Sequence, residues 1–165
     1  MRASGGLIRG GHACVCFTEA PLTSLAGGLV NPSNFSRYAP FGIMLDKAWL
    51  FSKGGRPVIY QRDGEYGALP ADSRWRHVKY EPDLTPPFDF SWEREWRIQG
   101  DLAFRPNEVA IVVPTQEWAD SLRDYHDWQQ GMDIEMYSMV MDQEIAAQYR
   151  EDFPWRVRIL SEEQA

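Results

Sequence analysis

The run "VAIVVP" at residues 109–114 is apolar at every position before its proline. A strand with one wet face alternates apolar and polar side chains, so a continuous run marks a strand covered on both faces. A chain holding such a strand needs layers on either side of it. The remaining apolar runs are short and cut by proline and glycine. "ACVCFTE" (13–19) reads as a strand ended by Pro21, "FGIML" (41–45) as a second and "RPVIYQ" (56–61) as a third. "RHVKYE" (76–81) and "WRVRIL" (155–160) alternate as strands do, the latter with Trp155, Val157 and Ile159 inward. "DKAWLFSKGG" reads as a short helix with Asp46 as N-cap and a stop at Gly54-Gly55. "LTSLAGGLVNPSNFSR" (22–37) reads as a short apolar turn followed by a Gly/Asn/Pro/Ser loop, and "PDLTPPFDF" as a rigid connection.

The C-terminal third changes period. "TQEWADSLRDYHDWQQG" predicts a helix over about 116–130, with Thr115 as N-cap and Gly131 as its stop. Trp118, Leu122, Tyr125 and Trp128 fall on one stripe, read as the core face. "DIEMYSMVMDQEIAAQYRED" predicts one or two further helices with methionines filling the core. The class expected is α+β: a single domain over residues 1–165, built on a bent, mixed or antiparallel β core, with helices concentrated in the C-terminal third.

The net charge of −7 argues against a broad electrostatic grip on nucleic acid. No apolar run approaches the roughly 20 residues that span a bilayer, so no membrane partner is expected. Cys14 and Cys16 alternate along one strand, which puts them on one face but too near in sequence for an ordinary disulfide. Two thiols without a second ligand pair, and His12, His77 and His126 without metal-site spacing, give no reason to expect a metal. A reducing, cytoplasmic setting fits this cysteine usage. Seven Trp, seven Tyr and eight Phe call for an aromatic core or an aromatic binding surface.

"DFSWEREWRI" (89–98) carries the densest chemistry. Read as a strand over 92–98, it puts Trp92, Arg94, Trp96 and Ile98 on one face and Glu93, Glu95 and Arg97 on the other. Two carboxylates about 6–7 Å apart repel by about 2.5 kcal/mol at an effective dielectric near 20, and Arg97 offsets part of this. Such a pair is harmless on an open surface and informative in a cleft. A solvated, charged strand face is the plainer reading.

The segments "VCFTEAPL", "RYAPFGIMLDKAWLFSKGGRPVIY", "FSWEREWRI" and "PNEVAIVVP" occur in that order over about residues 13–114. In this order they resemble abortive-infection proteins of the AbiGi type. The same skeleton distantly resembles ADP-ribosyltransferase folds, including the DarT toxins that modify DNA. That resemblance implies a phage-defence effector or toxin that uses NAD as substrate and needs no metal. It also implies a nucleic-acid or protein acceptor and an antitoxin or immunity partner. It gives Glu95 the stabilisation of an oxocarbenium-like state and Glu93 the orientation or deprotonation of the acceptor. Tyr38 or Phe41 would stack on nicotinamide, Arg37 or Arg56 would face the pyrophosphate, and His12 would stand in for the family's histidine. Set against that transferase skeleton, the opening "MRASGGLIRGGH" resembles the tail of its helix and loop, so the resemblance implies either an upstream strand–helix segment or a member that has lost part of its NAD site. Two alternatives stand beside this: a catalytically silent interaction module of the same fold, and a metal-dependent nuclease using Asp89, Glu93 and Glu95.

Overall fold

Proline and glycine divide the chain into short segments. In the computed structural model, which describes residues 1–6, 8–25 and 39–164, the strands they bound run from two to five residues. In chain order these are β1 (Cys14–Thr18), a single helical turn α1 (Leu22–Ser24), β2 (Gly42–Leu45), α2 (Lys47–Ser52), β3 (Arg56–Pro57) and β4 (Ile59–Gln61). There follow β5 (His77–Lys79), β6 (Glu95–Gln99), β7 (Val109–Val113), α3 (Gln116–Ser138), α4 (Gln143–Ala147) and β8 (Arg156–Ile159). The class is α+β, with the longest helix in the C-terminal third, as the sequence pattern predicts. Contacts group the chain into two units, Met1–Pro21 with Leu45–Phe104 and Leu22–Met44 with Arg105–Ala165.

In the first unit β6 is the central strand of an antiparallel sheet ordered β1-β6-β3. Opposite residues on paired strands share a face, so the register sorts the side chains. Val15 against Ile98 and Phe17 against Trp96 form the inner face. They pack with Leu50 and Leu102 in the buried cluster, joined by Trp49 of α2. Asp46 caps α2 as its spacing predicts, its Oδ1 accepting from the Trp49 N–H at 2.7 Å. Gly55 lies so close to Leu50 that a Cβ there would stand 2.5 Å from Leu50 Cγ, which is why no larger residue fits the turn into β3. A parallel pair, β4 with β5, forms a separate small sheet. The expected strand over 56–61 is thus two pieces: Arg56–Pro57 pairs with β6 and Ile59–Gln61 with β5.

The second unit is built on β7, which lies between β2 and β8 as the doubly apolar run requires. Val112 packs toward Leu160, Leu22, Leu25 and Met44, whereas Val113 packs toward Ala119 and Ile159. β8 runs parallel to β7, matching Ile111 with Val157 and Val113 with Ile159.

Helix α3 departs from its predicted face and length. It continues through Gly131 to Ser138, because a glycine costs only about 1 kcal/mol inside a helix. Thr115 holds the N-cap position, yet its hydroxyl makes no capping bond. The stripe of Trp118, Tyr125 and Trp128 does not face the core: these side chains are 49%, 61% and 60% exposed. The inward row lies one position over. Ala119 is fully buried beside Val113 and Ile159, and half-buried Leu122 packs on the same cluster. Farther along, His126 Nε2 lies 2.9 Å from the Glu151 carbonyl, and Gln130 Oε1 accepts from the Glu151 N–H at 2.9 Å. A small residue permits close approach to the sheet, and polar side chains hold the return segment. Of the methionines expected in the core, Met136 and Met139 are outward, 54% and 78% exposed, while Met141 is half-buried.

This phase predicts a clear split between neighbouring positions. Leu122→Ala should destabilise the protein by about 2 kcal/mol, whereas Tyr125→Ala should change stability by under about 0.5 kcal/mol. Denaturant midpoints of the two variants test it, and a larger loss from Tyr125→Ala would restore the original stripe as core.

Candidate functional site

The charged stretch 89–98 is only half a strand. Ser91–Glu93 forms a 3-10 turn, and Arg94 follows with φ of 47°, in the left-handed region. That residue breaks the alternation, so the expected strand over 92–98 begins at Glu95 and the shared face of Glu93 and Glu95 does not form. Two contacts pin the break. The Thr18 hydroxyl donates to the Glu93 carbonyl at 2.5 Å, and the Glu19 N–H donates to the Arg94 carbonyl at 3.3 Å.

Within β6 the alternation holds. Trp96 and Ile98 enter the core, while Glu95 and Arg97 share the opposite face with Cys14, Cys16 and Thr18 of β1. Both cysteines are free thiols on one face, as their spacing predicts, with Cys14 buried and Cys16 exposed. Arg97 grips Glu95 along both edges of the carboxylate, Nε to Oε1 at 2.8 Å and Nη2 to Oε2 at 3.2 Å. Its Nη1 donates to the carbonyls of Trp75 and His77, each at 2.9 Å. Four of the five guanidinium N–H donors therefore have acceptors. The pair is well shielded, with side-chain exposures of 8% for Arg97 and 13% for Glu95.

Burial first, and this pair second, shifts the neighbouring groups. Desolvation close to the sheet, even for an exposed side chain, and then the charge of and hydrogen bond to Glu95 push the Cys16 thiol up to about 12. At neutral pH Cys16 is therefore a thiol, without the thiolate that a nucleophile needs. The Tyr60 hydroxyl accepts the Glu95 N–H at 3.1 Å and donates to the Phe90 carbonyl at 3.2 Å. Burial foremost raises its phenol above the ordinary value.

Of the other expected site residues, His12 and Arg56 belong to the first unit. Arg37 and Tyr38 lie outside the described residues. Phe41 belongs to the second unit, where its ring meets Trp118 edge-on at 4.9 Å. Arg56 is paired in register with Arg97, but its guanidinium lies over the Phe51 ring and donates to the Phe51 and Gly55 carbonyls. His12 is half-buried beside Gly10, whose φ of 87° and contact with the Tyr66 hydroxyl leave no room for a side chain. Asp89 accepts from the N–H and hydroxyl of Ser91 and so caps the turn into the charged stretch. No group of three or more metal-ligating side chains occurs among the described residues.

Sequence reasoning passed over two parts of this constellation. Cys16 could be placed opposite Arg97 only from the strand register, and the carbonyls of Trp75 and His77 carry no sequence signal. It also passed over Glu19, which accepts from Lys47 Nζ at 2.6 Å, Arg94 Nη2 at 3.2 Å and the Trp96 indole N–H at 2.9 Å.

The Lys47 hydrogen bond foremost, then that of the Trp96 indole, hold the Glu19 carboxyl below its ordinary value of 4.5. A carboxyl depressed in the folded state stabilises the fold above the unfolded value, and that share is lost as pH falls through the folded one. Stability measured from pH 7 down to about pH 3 should therefore fall more for the wild type than for Glu19→Gln. Parallel curves would show that Glu19 contributes nothing. No family model, no curated protein and no solved structure matches this chain.

Proposed function

We propose that this chain is an interaction module that works by binding another macromolecule through the outer face of α3. The observation that carries this reading is the row of six large apolar side chains, Trp118, Tyr125, Trp128, Met132, Met136 and Met139, each about half exposed or more. Single exposed apolar residues are ordinary, but a contiguous patch of this kind marks an interaction surface. Tryptophan, tyrosine and methionine are also the residue types enriched where proteins meet.

The transferase reading asks Glu95 to present its charge to a ribose. Here that charge faces Arg97 in a two-pronged contact, which favours a structural role. The observation on the transferase side is that Glu95 still lies beside the Tyr60 hydroxyl and the Cys16 thiol, a polar setting on the sheet face.

Glu95→Gln separates the two. As a structural carboxylate its loss leaves Arg97 buried without a counter-charge, so stability should drop by about 3–5 kcal/mol, and the wild type should show neither NAD turnover nor a melting shift with NAD. As a catalytic carboxylate it would leave the fold intact and lower NAD cleavage by about 10²–10³. Measurable NAD turnover by the wild type that collapses in this variant would overturn the interaction reading.

A further inference from the structure

Resting on the interaction reading above, we infer that the α3 face receives a basic amphipathic helix of a partner protein. Trp118, Tyr125, Met132 and Met139 recur every seven residues, and Trp128 and Met136 fill the gaps between them. At 100° per residue these six lie within about 80° of arc, and the stretch 118–139 is about 32 Å long. A straight, narrow stripe of this length matches a second helix lying alongside, which anchors at i, i+3 or i+4 and i+7. Methionine side chains adapt to such a partner without a fixed complementary shape.

The charge beside the stripe selects the partner. Glu117, Asp124 and Glu135 line one edge, about 80–100° round from Tyr125. Asp120 and Asp127 are paired with Arg123 and Arg150, but none of the three edge carboxylates forms an ion pair among the described residues. The only arginine or lysine in α3 is Arg123, on the side away from the stripe. A helix carrying lysines or arginines beside its apolar row would meet these carboxylates as it buried the stripe. A second copy of α3 would bring acidic edge to acidic edge, and an anionic lipid surface would be repelled in the same way.

The test uses the full chain and two 18-residue probe peptides of about three heptads or fewer, identical in their leucine positions, with lysine in one and glutamate in the other at every polar position. Fluorescence anisotropy should show the lysine peptide binding at least about tenfold more tightly than the glutamate peptide at low salt. The triple variant Glu117→Gln, Asp124→Asn, Glu135→Gln should weaken the lysine peptide about tenfold. Trp128→Asp with Met132→Asp should abolish binding while keeping the wild-type circular dichroism, since both positions are exposed. If that variant unfolds, the triple variant still decides.

Equal binding of both peptides, lost in the stripe variant, would overturn the basic partner and leave the interaction reading standing. Self-association that the stripe variant abolishes, seen by light scattering, would do the same and make a second copy the occupant. Binding of the lysine peptide that survives the stripe variant would be attraction to the net charge of −7, and would overturn both. Absence of binding by either peptide would overturn both as well.

Discussion

A buried guanidinium cannot be left without acceptors, and Arg97 obtains its acceptors from two different segments. Glu95 supplies a carboxylate from its own strand, and the Trp75 and His77 carbonyls close the far side. Each of these fixes something else. The carbonyls tie the turn Ala71–Arg76 and the start of β5 to the face of the antiparallel sheet. Glu95 in turn places its N–H on Tyr60, which reaches on to Phe90. A buried ion pair contributes little net stability compared with a hydrophobic pair of the same shape. Its effect is conditional: any slip of β6 by one residue would turn Arg97 into the Trp96 core and Trp96 toward the carbonyls. The pair therefore sets register more than it adds stability.

The opposite face of β6 shows the same economy by other means. Trp96 is buried against Val15 and Leu50, yet its indole N–H must still be satisfied, and Glu19 just past β1 accepts it. Glu19 also gathers Lys47 and Arg94, so three positive or polar donors converge on one carboxylate. Arg94 reaches it from a left-handed backbone, a conformation uncommon for residues other than glycine. The kink at Arg94 and the buried pair two residues on are thus two ends of one arrangement: the kink lets Glu95 start the strand facing Arg97.

Much of this fold was legible in the sequence, because alternation and capping are local. β1, β2, β7 and β8 fall within a residue or two of their expected limits, and the Asp46 cap and the central position of β7 follow from residue types alone. What was not legible depended on tertiary choice. Ala119 carries almost no hydrophobic signal beside Trp118, so the stripe was phased on the large residues, while the sheet accepted the small one. The left-handed turn at Arg94 has no glycine or asparagine to announce it. Glu93 and Glu95 consequently looked like a pair, although only Glu95 belongs to the strand. At the candidate site the sequence named Glu95 and Arg97 but could not supply the two backbone carbonyls that complete Arg97.

The aromatic rings around β6 and α2 and those along α3 are used differently. In the first unit Trp75 and Trp96 are buried, and Lys47 and Lys53 lie over the Trp96 and Trp49 rings. These rings do structural work, and cations cover the Trp96 and Trp49 faces. Along α3 the order is reversed: Trp118, Tyr125 and Trp128 face solvent and the charges beside them are acidic, so no cation covers those rings from within the helix. An apolar row left bare promotes association, whereas a strongly negative chain resists it by self-repulsion. The two features together disfavour contact between like copies while leaving the row open to a partner of opposite charge. A helix that only needed to cover the sheet would carry its tryptophans on the row of Ala119 and Leu122, and here Trp118 and Trp128 are on the other side.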